Sequence, residues 1–241
     1  MSNLFILDVG NTNIVAGYFR ENHLVYRFRL ITDRNIKARA YADMIKSKMS
    51  EAGFSLTEIQ NLAISSVVPS MQETLSKLAL SHLKAKPFYV TPKIKLNFTV
   101  KIENPEELGA DLIASAAAAV DKYSGPCIII DMGSATTITA INEKCEFLGG
   151  AISPGLNITA SAFKSTVPHL PEIELAPPPS VIGTNTVHAL QAGIFTGYGW
   201  MVGGLVNEMK AELGKDVKAV SYTHLRAHET PEHLVCRLLL E

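Results

Sequence analysis

Twice in this chain an apolar, β-branched run ends in an acid and then turns on a glycine. The first copy is Phe5-Ile6-Leu7-Asp8-Val9-Gly10-Asn11-Thr12-Asn13-Ile14-Val15-Ala16. The second, past mid-chain, is Ile128-Ile129-Ile130-Asp131-Met132-Gly133-Ser134-Ala135-Thr136-Thr137-Ile138-Thr139-Ala140. Each reads as a strand, a tight turn and a second strand. One Asp-x-Gly-Asn is ordinary turn chemistry, but two matched copies behind apolar strands predict two related half-domains facing a shared cleft.

The residue types in these turns suit phosphate. Glycine lets a turn present its N–H groups to an anion with no side chain in the way. Asn11, Thr12, Ser134 and Thr136 add short side-chain donors. A phosphate ester brings a divalent cation, for which Asp8 and Asp131 are hard oxygen ligands, directly or through water.

The chain of 241 residues allows one large domain or two of about 100–130 residues. Its 47% hydrophobic and 19% charged residues supply ample core material. A formal net charge of −1 with no basic block argues against a nucleic-acid partner. No apolar run reaches the ~18 residues of a membrane span, and no signal peptide is visible. Cys127, Cys145 and Cys236 lack metal-ligand spacing, which points to a reducing, cytoplasmic setting.

In chain order, the strand pair over residues 4–20 continues into a third antiparallel strand over 23–30. Helical spacing of Tyr41, Met44, Ile45 and Met49 predicts a helix over 41–52, stopped by Gly53. Strands follow over 61–68, with Ser65 and Ser66 near the cleft end, and over 87–91, separated by a helix over 71–83. This alternation favours an α/β fold with helices on the sheet faces. Asn104-Pro105-Glu106-Glu107 predicts a capped helix start that Gly109 interrupts. Asp111 then opens the alanine-rich run 113–120, and spacing alone reads it as a second N-cap. Residues 147–153 read as extended, 156–163 as a helix whose start beside Pro154-Gly155 suits an anion. The proline-rich stretch 168–179 is a loop or lid. Gly183-Thr184-Asn185-Thr186 is read as the cap of a long helix over 187–213, with Thr186 as that cap or as a donor into the cleft. His188 and Trp200 are read as packing residues. Gly197-Tyr198-Gly199 has no strand before it and is no dinucleotide fingerprint, and no Gly-Lys-(Ser/Thr) P-loop occurs.

From Val220 the character changes. Residues 220–241 resemble translated sequencing adapter and are excluded from fold reasoning, with a core strand beginning at Lys218-Ala219 just before them.

With these residues in place, residues 1–219 resemble type III pantothenate kinase, of the acetate and sugar kinase, heat-shock chaperone and actin superfamily. The resemblance rests on Asp8-Val9-Gly10-Asn11-Thr12, Asn104-Pro105 with Gly109-Ala110-Asp111, Asp131 to Thr137, Gly149-Gly150 with Pro154-Gly155, and Gly183 to Thr186. It implies duplicated ribonuclease H-like, actin-like half-domains at 1–115 and 116–219, with mixed sheets flanked by helices. It also implies ATP-dependent phosphorylation of the primary hydroxyl of pantothenate, the first step toward coenzyme A, by a cytoplasmic homodimer.

By the same resemblance Asp8, Val9, Gly10, Asn11, Thr12, Asn13, Ile14, Val15 and Ser134 bind ATP, with Mg2+ near Asp8 through water. Gly109, Ala110, Asp111, Leu112 and Thr186 bind pantothenate, and Asp111 is the catalytic base. Asp131 holds a monovalent cation, K+ or NH4+. The chain departs from the family's frequent arginine at Leu112 and its frequent tyrosine at Ile102. Relatives place a glycine-rich turn near the adenosine beyond the matched residues, so this chain is expected to hold ATP weakly. The non-catalytic Bvg accessory factor group shares the fold; the presence of Asp8, Asp111 and Asp131 together favours the kinase.

Overall fold

The computed structural model describes residues 3–123, 125–214 and 217–221. Beyond Val220 and Ser221, the stretch read as adapter-derived lies outside the described residues, as does Cys236. The chain divides into two compact units, Met1–Lys95 with Asn104–Ala114, and Leu96–Glu103 with Ser115–Glu241.

In the first unit the leading strand, β1 (Leu4–Val9), is central. It pairs antiparallel with β2 (Asn13–Arg20), which pairs with β3 (His23–Ile31). On its other side it runs parallel to β4 (Asn61–Ser66), which pairs with β5 (Pro87–Tyr89), giving the order β3-β2-β1-β4-β5. Phe5, Leu7 and Val9 alternate into the core as a strand's period of two demands, while Asp8 stays on the other face. The helix α1 (Ala38–Glu51) buries Ala38, Tyr41, Ala42, Ile45 and Met49 on one stripe and ends before Gly53, whose φ of 79° only glycine adopts freely. It starts three residues before the sequence pattern does, because Ala38 is also core. The helix expected over 71–83 is composite. A 3₁₀ turn (Pro69–Met71) leads into α2 (Gln72–Lys77) and then a π turn (Leu78–His82), which together bury Met71, Leu75, Leu78 and Ala79.

The second unit repeats the plan. Its strand β7 (Cys127–Met132) pairs antiparallel with β8 (Ala135–Ile141) and parallel with β10 (Lys218–Ser221). Next to β8 lies β9 (Glu146–Pro154), and beyond it the short β6 (Thr99–Val100), in the order β10-β7-β8-β9-β6. The strand expected at Lys218 therefore forms and takes in Val220 and Ser221. Ile128, Ile130 and Met132 face a core completed by Leu156, Phe195, Tyr198 and Val202. These come from α4 (Leu156–Thr166), a π turn (Ala192–Thr196) and α6 (Gly197–Leu213); α5 (Thr186–Gln191) leads into that turn. In each unit an acid-ending strand thus sits between its antiparallel hairpin partner and a parallel neighbour.

Several expectations from sequence are corrected. Asn104 caps nothing with its side chain, and Pro105–Glu107 form a single 3₁₀ turn. The helix proper, α3 (Ala110–Tyr123), starts after Gly109, where Leu108 and Ala110 are drawn into the interior. Asn185, not Thr186, caps α5, its Oδ1 accepting from His188 N. Trp200, read as a packing residue, is 61% exposed on α6.

The β8–β9 ladder slips register between Ala140 and Ile141, and Gly149 opposite has φ 113°. A Cβ on Gly150 would lie 2.0 Å from Ile138 O, and the nearest atoms are all backbone of Ile138 and Thr139, with no flexible side chain to yield. Gly150→Ala is therefore expected to destabilise the fold by about 3 kcal/mol or more in urea unfolding. Gly204→Ala in α6, where no atom lies within 4 Å of the new Cβ, is expected to stabilise it by roughly 0.5–1 kcal/mol.

Candidate functional site

The first unit builds a group of polar residues at the far end of β1. Val9 and Ile14, directly paired across the hairpin, are buried and pin the turn that carries Gly10, Asn11, Thr12 and Asn13. Gly10 N donates to Asn13 O at 2.9 Å, which closes the turn and leaves Asn11 and Thr12 exposed at its tip. Val15 pairs with Asp8 across the hairpin. On the parallel side Asp8 is level with Ser65 of β4.

Asp8 reaches solvent, yet protein encloses it on most sides. Burial raises its carboxyl above the ordinary value; the Ser65 hydroxyl lowers it and the Asp111 carboxylate, near enough to repel, raises it again. Ser65 Oγ is buried and makes no hydrogen bond of standard geometry, so its effect on Asp8 comes from proximity rather than a formed bond.

Asp111 stands in the first turn of α3 and is half-buried. Its Oδ1 accepts from Leu112 N at 2.8 Å, so it lies inside the helix and is not the N-cap that spacing suggested. Buried Ala110 and Ile113 anchor the turn. A Cβ at position 109 would sit 2.5 Å from Asp111 Oδ1 and 3.7 Å from Val67 Cγ1. Gly109 thus lets the carboxylate lie where it does.

A brace that the sequence did not announce holds the first turn. After β3, Thr32 N donates to Thr12 O at 3.0 Å and Thr32 Oγ1 to Gly10 O at 2.7 Å. Arg34 Nη2 donates to Asn11 Oδ1 at 3.0 Å. Residues 32–34 show no motif or periodicity that would have revealed them.

The second unit's turn is built differently. Gly133 N donates to Ala135 O at 3.0 Å, and Gly155 N, at the start of α4, to Ser134 O at 2.8 Å. A Cβ on Gly155 would lie 2.0 Å from Gly133 O, so only glycine allows the end of β9 to press on this turn. Thr136, read as an anion donor, is only 1% exposed and bonds the Tyr198 hydroxyl instead. Tyr198 also donates to Pro154 O at 3.2 Å, tying β8, β9 and α6 together. Asp131 is half-buried at the end of β7, Ser134 is exposed, and Thr186 is the exposed first residue of α5.

The donor set fits phosphate with a hard cation. Among the described residues no three His, Cys, Asp or Glu gather into a metal cage. One or two carboxylates completed by phosphate oxygens and water is the usual setting for Mg2+. Among those residues, too, no helix is long and apolar enough to cross a membrane.

A family model described as type III pantothenate kinase matches residues 4–208. Among solved structures, a conserved protein of Campylobacter jejuni assigned to the Baf family of transcriptional activators is 20% identical, with 90% of each chain covered and a TM-score of 0.51. The ethanolamine utilization protein EutJ of Carboxydothermus hydrogenoformans is 12% identical over 99% of this chain and 82% of its own, with a TM-score of 0.52. Component A of the (R)-2-hydroxyglutaryl-CoA dehydratase of Acidaminococcus fermentans is 14% identical over 100% and 88%, also at 0.52. At such identities these likenesses establish the fold, the duplicated actin-like α/β architecture, and nothing more.

Because the folded state disfavours ionised Asp8, its cost is present above the folded pKa and fades as pH falls. Asp8→Asn is expected to raise the melting temperature at pH 7 in buffer free of metal and nucleotide. The gain over wild type should shrink as the pH approaches the ordinary carboxylate range. A loss of stability at pH 7, or a gain indifferent to pH, would contradict this account of Asp8.

Proposed function

The chain belongs to the type III pantothenate kinase family, and on that footing we propose that it transfers the γ-phosphoryl group of ATP to the primary hydroxyl of pantothenate. The products are 4'-phosphopantothenate and ADP. The observation that carries the reading is the closeness of Asp8 and Asp111, two carboxylates from opposite ends of the first unit's sequence. One stands beside a glycine turn and the other at the head of a helix.

In this reading residues Asp8 to Val15 and Ser134 receive the ATP phosphates through N–H groups and short side chains. Gly109, Ala110, Leu112 and Thr186 line the pantothenate side. Asp111 accepts the proton of the attacking hydroxyl, its carboxylate oriented by Leu112 N–H. When bound, Mg2+ near Asp8 and K+ or NH4+ at Asp131 supply positive charge against the phosphates. Phosphoryl transfer asks little else of a protein than positioning and charge balance. Leu112 gives the substrate side an apolar contact where relatives often offer arginine. Ile102, where they often carry tyrosine, approaches Gly149, lying 3.5 Å from where a Cβ would stand there. A homodimer belongs to the same reading, supported by the exposure of Trp200 and Met201 on α6.

ADP release measured with and without pantothenate, in potassium and in sodium buffer, tests the proposal. Turnover should require both pantothenate and potassium and should fall about a hundredfold or more in Asp111→Asn. Pantothenate-independent ADP release, or none from folded protein at saturating ATP, would count against it.

A further inference from the structure

The turn over residues 8–15 holds one acid and no cation, yet the reading above asks it to receive a triphosphate. Neutral N–H groups and hydroxyls can orient phosphate oxygens, but strong phosphate sites add a guanidinium or ammonium. The structure places one there. Arg34 donates from Nη2 to Asn11 Oδ1 at 3.0 Å, directly at the exposed tip of the turn.

The loop that carries Arg34 is firmly mounted. Thr32 ties it to Gly10 O and Thr12 O, at 2.7 and 3.0 Å. Asp33 N donates at 2.8 Å to the hydroxyl of Tyr41, a fully buried residue of α1, and that hydroxyl donates back to Asp33 O at 3.0 Å. The Asp33 carboxylate accepts from Asn35 N at 2.8 Å, closing the loop on itself. A side chain held only by chance on a surface needs none of these supports.

We infer that Arg34 is a phosphate-binding residue of the ATP site, held ready on Asn11 and able to offer its other N–H donors to the phosphoryl oxygens. A guanidinium has five such donors in a fixed planar fork, and the bond to Asn11 uses one. Asn11 therefore serves partly to aim this cation. The inference rests on the reading of the turn as the ATP-phosphate site, and it adds the charge which that turn lacks.

The test is titration calorimetry of the full chain with magnesium tripolyphosphate and with MgATP. Tripolyphosphate reads the phosphate end without the adenosine. Arg34→Ala should weaken both ligands about tenfold or more, as expected for loss of a charge-assisted bond. Arg34→Lys should recover part of the affinity, and Arg34→Gln, which keeps a donor for Asn11, should not. In steady-state kinetics the KM for ATP should rise in Arg34→Ala while that for pantothenate stays put. Melting temperatures should stay within a degree or so of wild type, since the side chain is exposed. Affinity within twofold of wild type in both Arg34→Ala and Arg34→Gln would overturn the inference and leave the ATP reading standing. Wild-type protein that binds neither ligand would overturn both.

Discussion

Asp8 reaches solvent at the end of a strand whose other face is core, yet the protein around it raises its carboxyl above the ordinary value, and the polar residues of the first unit gather about it. Asp8 cannot swing away, because Val9 and Ile14 behind it are buried and paired across the hairpin. On the parallel side the Ser65 hydroxyl lowers its carboxyl only in part, less than burial raises it. Asp111 then brings a second negative charge near, held by Gly109 and Leu112 N–H. Two carboxylates in this relation repel each other until a cation arrives, and such sites trade folded-state stability for readiness to bind.

The second unit repeats the backbone and changes the purpose of its side chains. Its turn is pressed against Gly155 and locked by the Thr136–Tyr198–Pro154 chain of hydrogen bonds. Where the first turn is braced by a loop carrying a cation, the second is braced by the sheet and by α6. Both copies keep an acid and an exposed turn, and they differ in what holds the turn in place. A duplicated strand–turn–strand can therefore hold two different environments with little change in its glycine pattern.

How much of this was legible followed from the length scale of each feature. The hairpins, their acids and the α/β alternation were readable because period-two burial and a glycine after an acid are local signals. Thr136 was misread because a buried threonine and an exposed one have the same spacing from the turn; what distinguishes them is Tyr198, sixty-two residues away in sequence. The cap assigned to Asn104 failed because Leu108 is drawn into the interior before a helix can continue. The two-residue β6 is too short to carry a pattern. Arg34 was invisible for a different reason. Its significance lies in a loop that folds back on the turn, and nothing in Thr32-Asp33-Arg34 announces that.

The chain has a single tryptophan, and it stands on the outer surface of α6. In a single copy of the chain the indole is largely exposed, so its emission there belongs toward the red end of the tryptophan range and is open to quenching by iodide or acrylamide. A fluorophore in that position is nearly blind to the packing of the core. It will respond to whatever comes to lie on α6, which makes Trp200 a built-in spectroscopic reporter of that surface.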